Sequence, residues 1–295
     1  MHTTLISVRQ LMDLQAAKAR LMVFDCTFDL MDPASGEKQY LQAHIPGAVY
    51  AHLDNALSDK GTVDPDGTHH PHPDAASGGR HPLPSREKFA MWLSGVGFAN
   101  DMQAVVYDRN GANYCGRLWW MLKWAGHDAV AILDGGLQAW QAEGGEVRTG
   151  VEPSHFQSNF ALGPPLRRLV TIDDVRSKLG DAAQTLVDAR AAPRFRGEVE
   201  PLDPIAGHIP GALNRPFGQN IGADGRFKSP QQLRAEFDAL LGGRDPGSVV
   251  HQCGSGVSAV PNLVAMELAG YAPTALFAGS WSEWSRTPGL PVEKG

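Results

Sequence analysis

Cysteine is scarce in this sequence, and its scarcity limits the kinds of site that the chain can hold. Among 295 residues there are three cysteines, Cys26, Cys115 and Cys253, and no two of them are close together. A disulfide framework or a cysteine-rich zinc site needs more thiols at closer spacing. Because the N-terminal residues also lack a basic segment followed by a long apolar run, we expect no secretory signal and a cytoplasmic location.

The sequence also lacks an excess of positive charge and long apolar runs. Its formal net charge is −6, which disfavours binding to nucleic acid or to an anionic membrane surface. No run reaches the roughly 18 consecutive apolar residues that a membrane-spanning helix needs. His69, His70 and His72 are close in sequence, but prolines interleave with them and no cysteine is nearby. This composition favours a loop, and no metal site is predicted.

An internal repeat is the strongest positive feature of the sequence. The sequence HIPGA occurs at residues 44–48 and again at residues 208–212. Farther along the chain, Ala125, Gly135 and Trp140 each recur 144 residues later and in the same order. The preserved order indicates a duplicated domain. The same spacing places Arg109 at the position of Cys253, so the first half offers no thiol there and is predicted to be non-catalytic.

The repeat predicts two domains of one fold class. The chain is long enough for two domains of roughly 150 residues, and glycine and proline are frequent between residues 150 and 165. We predict an N-terminal domain over residues 1–150 and a C-terminal domain over residues 165–295. Alternating apolar strands and helical patterns are typical of an α/β fold, with a parallel sheet flanked by helices. The predicted strands are residues 21–25, 104–107, 130–133, 186–188, 248–251 and 275–277, and a helix is predicted over residues 258–268.

Cys253 lies in a turn between a predicted strand and a predicted helix, where the sequence reads Cys253-Gly254-Ser255-Gly256-Val257-Ser258-Ala259. Glycines allow such a turn to curl so that its main-chain N–H groups point inward. These donors and the positive end of the helix dipole stabilise a thiolate or a bound anion. We therefore predict that Cys253 is a nucleophile. Cys26 and Cys115 lie in no such turn and are expected to be inert core residues.

This turn resembles the active-site loop of the rhodanese superfamily, in the form found in 3-mercaptopyruvate sulfurtransferases. The resemblance extends over nearly the whole chain and includes both HIPGA segments, the glycines after Asp134, and the arginine-rich stretch after Asp188. It implies two tandem rhodanese-like domains with catalysis in the second. It also implies that a small anionic donor loads sulfur onto Cys253 as a persulfide, and that cyanide or a thiol then accepts the sulfur. No metal or organic cofactor is expected.

The resemblance also assigns roles around the thiol. Arg194 matches the substrate-binding arginine of the family. His81, in the sequence HPLP, matches a histidine that approaches the cysteine loop, and a catalytic proton relay through Ser255 and His81 is expected. Asp54 is an uncertain match to an acid that orients this relay. Substrate binding is further expected from four residues of the loop: Gly254, Gly256, Val257 and Ser258.

The preferred donor stays open between two compounds. The mercaptopyruvate enzymes carry a second substrate-contacting arginine shortly before the second HIPG, and here that position is Leu202. Its loss leaves thiosulfate as an alternative donor. Thiosulfate enzymes usually place basic residues inside the loop itself, however, and residues 254–256 supply none. On this balance 3-mercaptopyruvate is the predicted donor.

Two other functional classes are weighed against a sulfurtransferase. Cysteine phosphatases of a related fold need an arginine at the sixth position after the cysteine, and here that residue is Ala259. Without it, a phosphate loses its bidentate partner. A non-catalytic binding module is the second alternative, and the intact cysteine loop of the second half argues against it.

Overall fold

The computed structural model describes residues 1–64 and 69–295, and the chain forms two compact units. The first unit contains Met1–Ser58, Pro84–Leu166 and Ala223–Phe227. The second contains Asp59–Leu83, Arg167–Gly222 and Lys228–Gly295. Residues 59–83 therefore pack with the second unit, although in sequence they lie between two parts of the first unit. The boundaries at residues 150 and 165 remain a prediction.

The first unit begins with a short strand and alternates strands with helices. Its elements before residue 59 are β1 (Leu5–Ile6), α1 (Val8–Ala16), β2 (Leu21–Asp25), α2 (Ser35–Gln42) and β3 (Val49–Tyr50). The segment that packs with the second unit carries the antiparallel pair β4 (Thr62–Val63) and β5 (His69–His70). The first unit continues with α3 (Arg86–Gly95), β6 (Gln103–Tyr107), α4 (Cys115–Trp124), β7 (Val130–Leu133) and α5 (Gly136–Ala142).

The second unit repeats this alternation after residue 166. Its elements are β8 (Arg168–Val170), α6 (Ile172–Ser177), β9 (Thr185–Asp188), α7 (Ala192–Phe195), β10 (Leu213–Asn214), a 3-10 helix (Phe217–Asn220), α8 (Pro230–Leu241), a second 3-10 helix (Pro246–Ser248), β11 (Val249–Gln252), α9 (Val260–Leu268), β12 (Ala275–Phe277) and α10 (Ser280–Trp284). Among the described residues, no helix is long and apolar enough to cross a bilayer.

Each unit contains one five-stranded sheet, and the two sheets have the same strand order. The first runs β1-β7-β6-β2-β3 and the second runs β8-β12-β11-β9-β10. Every pairing within these two sheets is parallel. The predicted α/β fold with parallel sheets flanked by helices is confirmed. The predicted strands form the inner part of each sheet, whereas the short edge strands β1, β3, β8 and β10 gave no clear apolar run in the sequence.

Local sequence explains where several helices begin. Ser229 caps α8 and forms a reciprocal capping box with Gln232, and Pro230 occupies the first helical turn, where a missing N–H costs little. Thr171 and Asp174 form the same box at α6. Both helices bury apolar side chains, so these caps fix where two helices that contribute to the core of the second unit begin.

The two HIPGA segments form equivalent turns. His44 bonds the carbonyl of Tyr40 through Nδ1 at 2.8 Å, and His208 bonds the carbonyl of Phe195 in the same way at 2.8 Å. Both imidazoles are buried, and each stacks on the aromatic ring of the residue whose carbonyl it bonds. These histidines hold turns, as the sequence predicts, and take no part in the cysteine site.

The strand register corrects the repeat by one residue. Asp25 pairs with Tyr107 in the first sheet, and Asp188 pairs with Gln252 in the second. The next residues, Asp108 and Cys253, therefore occupy the same place at the ends of the central strands. The prediction that Arg109 occupies the position equivalent to Cys253 was wrong. Helix α4 has ten residues and α9 has nine, so the spacing between equivalent residues changes by one along the repeat. The first unit still offers no thiol at this place.

Candidate active site

Cys253 directly follows β11, the central strand of the second sheet, and six residues separate it from the start of α9. In parallel α/β sheets, this carboxyl edge of the strands is where ligands bind. The Cys253 side chain is buried, with a relative exposure of 1%. Gly256 has φ +73°, and a Cβ atom there would lie 2.3 Å from the carbonyl oxygen of Ala278. Only glycine fits this position, so the tight turn depends on it.

Residues at the start of α10 hold the carbonyl groups of the cysteine loop. The N–H of Trp281 donates to the Cys253 carbonyl at 3.0 Å, and the N–H of Ser282 donates to the Gly254 carbonyl at 2.8 Å. Ser280 accepts the N–H of Cys253 on its hydroxyl at 3.1 Å while its own backbone is left-handed, with φ +55°. No local pattern in the sequence marks Ser280, because it lies 27 residues away and follows the neighbouring strand β12.

The carbonyl groups of Cys253 and Gly254 are hydrogen-bonded, but several N–H groups of the same loop have no acceptor among the described residues. In the described part of the chain, no hydrogen bond has the main-chain N–H of Gly254, Ser255, Val257 or Ser258 as its donor. Val257 is buried and its carbonyl accepts from Val260, whereas Ser258 is half-buried. Donors gathered at a helix N-terminus without protein acceptors are suited to an anion. The loop can therefore stabilise negative charge beside the Cys253 sulfur.

His81 reaches the same loop from the segment of residues 59–83. Its Nδ1 lies 2.7 Å from the Ser255 hydroxyl oxygen, and both side chains are buried, at 2% and 5% exposure. This contact lies wholly within the second unit. A hydroxyl hydrogen-bonded to an imidazole is the arrangement that passes a proton between a reacting group and a histidine. The structure thus brings together Cys253, Ser255 and His81.

The three arginines after β9 differ in their surroundings. Arg190 is buried, binds Asp188 through Nε and Nη2, and stacks over the Trp281 ring, which identifies it as a structural residue. Arg196 lies at the surface and pairs with Glu198. Arg194 points toward the loop: a Cβ atom placed on Gly254 would lie 3.6 Å from its Nη1. Of the three, Arg194 is therefore the one that borders the cysteine loop at Gly254. Its role in substrate binding stays a prediction.

A fourth arginine, Arg80, borders the same loop and was not singled out in the sequence. Its Nη2 would lie 3.2 Å from a Cβ atom on Gly254. Its Nη1 binds Asp203 at 2.7 Å, and the other oxygen of Asp203 lies 3.4 Å from Arg194. Leu202 presents no charge, and its N–H donates to Glu200. Arg80 escaped notice because its partners are more than 120 residues away and nothing local marks it.

Burial raises the pKa of two cysteines in the first unit and of one acid near the site. Burial raises the pKa of the Cys26 and Cys115 thiols well above the ordinary value, and nearby carboxylates add to this effect. Both are therefore poor nucleophiles. Burial also raises the pKa of Glu283, on α10, to about 7. Its carboxylate would overlap any side chain at Gly78 or Gly279, so it packs tightly against the segment that carries Arg80 and His81.

The chain was compared with known families and proteins. It matches the rhodanese-like domain family twice, over residues 7–143 and 171–287. The chain belongs to this family. The predicted tandem organisation of rhodanese-like domains is thereby confirmed. Among the residues that the structure describes, no group of three or more histidine, cysteine, aspartate or glutamate side chains is placed to hold a metal ion.

The relatives of this rhodanese-family chain are named as sulfurtransferases. A probable 3-mercaptopyruvate sulfurtransferase of Pseudomonas aeruginosa is 44% identical over 98% of this chain and 100% of its own length. A putative thiosulfate sulfurtransferase of Mycobacterium tuberculosis is 38% identical over 99% of this chain and 97% of its own. The structure of a 3-mercaptopyruvate sulfurtransferase from Leishmania major covers 95% of this chain and 73% of its own, at 29% identity and TM-score 0.76. The predicted enzyme class is confirmed.

Proposed function

We propose that this chain transfers sulfur from 3-mercaptopyruvate to cyanide or a thiol through a persulfide on Cys253. The observation that carries the proposal is the loop after β11, where Cys253 is followed by four N–H groups without a described protein acceptor. A persulfide and its anionic precursors gain stabilisation from such donors. The name of the Pseudomonas aeruginosa relative supports the same donor.

In the first half-reaction, the Cys253 thiolate attacks the sulfur of mercaptopyruvate. The new S–S bond forms as the C–S bond breaks, and the C–S electron pair leaves with carbon as the enolate of pyruvate. This enolate takes a proton on carbon to become pyruvate. The Ser255 hydroxyl donates that proton and recovers one from the His81 imidazole, to which it is hydrogen-bonded at 2.7 Å.

In the second half-reaction, a thiolate or cyanide attacks the outer sulfur of the persulfide. The S–S bond breaks, its electron pair returns to Cys253 as the thiolate, and the acceptor leaves with the sulfur. The thiolate is again held by the loop donors, so the second half-reaction restores the charged cysteine with which the first began. We propose Arg194 as a cation that binds the donor, because its Nη1 borders Gly254.

Steady-state kinetics with two donors test the proposal. With cyanide as acceptor, kcat/KM for 3-mercaptopyruvate is expected to exceed that for thiosulfate. Cys253→Ser should abolish both activities, while Cys115→Ser, which changes an inert buried thiol, should keep them. Mass spectrometry after donor treatment should find one added sulfur on the peptide that contains Cys253. A larger kcat/KM for thiosulfate would overturn the choice of donor, and sulfur on Cys26 or Cys115 would overturn the nucleophile.

A further inference from the structure

Arg80 is a charged residue at the cysteine loop for which the proposed reaction has so far given no role. It lies at the end of the sequence Ser77-Gly78-Gly79-Arg80, next to His81. Its main-chain N–H donates to the Ser282 hydroxyl at 2.9 Å, and the N–H of Ser282 donates to the Gly254 carbonyl. One serine therefore links the backbone of Arg80 to the backbone of the loop.

The turn that carries Arg80 is built for close approach. Gly79 has φ +85°, and a Cβ atom there would lie 2.5 Å from the Gly279 carbonyl and 2.7 Å from the Ser282 hydroxyl. A residue with a side chain cannot occupy this position without moving α10. Gly79 thus brings the Arg80 guanidinium to a fixed place beside Gly254.

The guanidinium of Arg80 keeps unused donors at that place. Its Nη1 is bound by Asp203, whose side chain is fully buried. Its Nε is buried and has no hydrogen-bond partner, and no described hydrogen bond uses its Nη2. A buried N–H without an acceptor costs free energy that a bound anion would recover. Arg80 is therefore held in position and still able to bind an anion.

Charge around the loop supports a paired cation site. Asp203 touches Arg80 with one oxygen and Arg194 with the other, at 2.7 and 3.4 Å. Both guanidinium groups come within 4 Å of the Cβ position of Gly254, where glycine leaves the space open. Arg194 donates its Nε and Nη2 to Glu200, so the donors that face this space are the Nη1 of Arg194 and the Nη2 of Arg80. Together they offer one N–H group to each oxygen of a carboxylate. Leu202, at the position where a second arginine is expected from the resemblance, cannot supply this charge.

We infer that Arg80 binds the carboxylate of the keto-acid donor together with Arg194, and that it takes the place of the arginine missing at position 202. The inference rests on the proposed function and names the second cation of its donor site. Asp203 is the positioning residue of the pair, because it contacts both guanidinium groups and is itself buried.

The test uses the full chain with 3-mercaptopyruvate as donor and 2-mercaptoethanol as acceptor. Arg80→Ala should raise the KM for mercaptopyruvate by about tenfold or more, because a charge-assisted hydrogen bond to the carboxylate is lost. The inhibition constant of pyruvate, which carries the same carboxylate, should rise by the same factor. Arg80→Lys should give values of both constants between those of the wild type and of Arg80→Ala, since lysine keeps the charge but not the forked guanidinium. Arg196→Ala, a surface arginine paired with Glu198, is the matched control and should change neither constant.

A second measurement separates binding from support of the loop. Release of sulfur from preloaded Cys253 to 2-mercaptoethanol involves no carboxylate, so Arg80→Ala should slow this half-reaction far less than it weakens mercaptopyruvate binding. Equal slowing of both half-reactions, or an unchanged KM and pyruvate constant, would overturn the inference. A wild-type protein inactive with both mercaptopyruvate and thiosulfate would instead refute the proposed function, whatever the variant does.

Discussion

The two units carry equivalent loops that differ in whether a side chain accepts their main-chain N–H groups. In the second unit, Cys253 follows the central strand, and several N–H groups of the loop have no described protein acceptor. In the first unit, Asp108 stands at the same place and its carboxylate accepts four N–H groups of its own loop. These belong to Asn110, Ala112, Tyr114 and Cys115, at 2.8 to 3.1 Å. The first loop thus contains its own anion, and the second is left ready for an external one.

The two loops share their backbone arrangement and differ in the side chain at one position. Leu137 donates to the Asp108 carbonyl at 3.2 Å, as Trp281 donates to that of Cys253 at 3.0 Å. The backbone frame is therefore common to both loops. Replacing a thiol by a carboxylate fills the anion site and removes the nucleophile in a single change. At this position we expect a carboxylate to stabilise the loop and a thiol to make it reactive.

The largest expected effect comes from placing the carboxylate of the first loop at the equivalent position of the second. Cys253→Asp should abolish sulfur transfer and raise the midpoint of thermal unfolding by a few degrees, because the carboxylate accepts the unpaired loop N–H groups. Cys253→Ser is the control, since it also removes the nucleophile but adds no charge, and it should give no such gain. A lower unfolding midpoint for Cys253→Asp than for Cys253→Ser would break the comparison.

The next effect concerns the proposed proton relay through Ser255 and His81. Ser255→Ala should lower kcat with mercaptopyruvate by about 10²-fold, because the pyruvate enolate loses its proton donor. The loss with thiosulfate should be much smaller, since sulfite leaves as a stable anion that needs no proton. Ser177→Ala, at an exposed site, serves as control. Equal losses with both donors would assign Ser255 to loop structure instead.

A smaller effect is expected from emptying the first loop. Asp108→Ala removes the acceptor of four N–H groups from a buried position and should lower the free energy of unfolding by about 2 kcal/mol or more. Activity per folded molecule should be retained. Asp101→Ala removes an exposed carboxylate paired with Arg20 and should cost under about 1 kcal/mol. Denaturant titrations of both variants measure the difference, and equal costs would contradict the role given to Asp108.

The smallest effect is pH-dependent and involves Glu283 on α10. Its pKa is raised from 4.5 to about 7 by burial, with a further contribution from Asp173. The folded state therefore holds the proton more tightly than the unfolded state. Stability should fall as pH rises from about 4.5 through 7, and the full penalty is present above 7. Glu283→Gln removes this penalty and should add about 1–2 kcal/mol at pH 8 and almost nothing near pH 4.

Thermal unfolding of this variant between pH 4 and pH 8 provides the check. Glu146→Gln, which changes an exposed acid, should show no comparable dependence. The prediction fails if the difference between Glu283→Gln and the wild type is the same at both ends of the range. The comparison also reports on the segment of residues 77–81, because Glu283 packs against Gly78.

Much of the fold and the centre of the site were predictable because their signals are local. Apolar runs mark the inner strands, and the repeated HIPGA turns mark the duplication. The glycines around Cys253 mark a tight strand-to-helix turn, since only residues without a Cβ atom fit positions such as Gly256. Arg194 and His81 came from resemblance to a family, and no local pattern distinguishes them from other arginines and histidines of the chain.

The sequence by itself determined the α/β class and the duplication, and it singled out the thiol that we propose as the nucleophile. Only the tertiary structure decided that Asp108, and not Arg109, is the equivalent of Cys253 in the first unit. Strand pairing sets the register of the two sheets, whereas a difference in helix length changes the sequence spacing between equivalent residues. It also decided that residues 59–83 pack with the second unit and bring Arg80 to Gly254. Such contacts join residues far apart in the chain, and they depend on packing of the whole unit, which no short segment encodes.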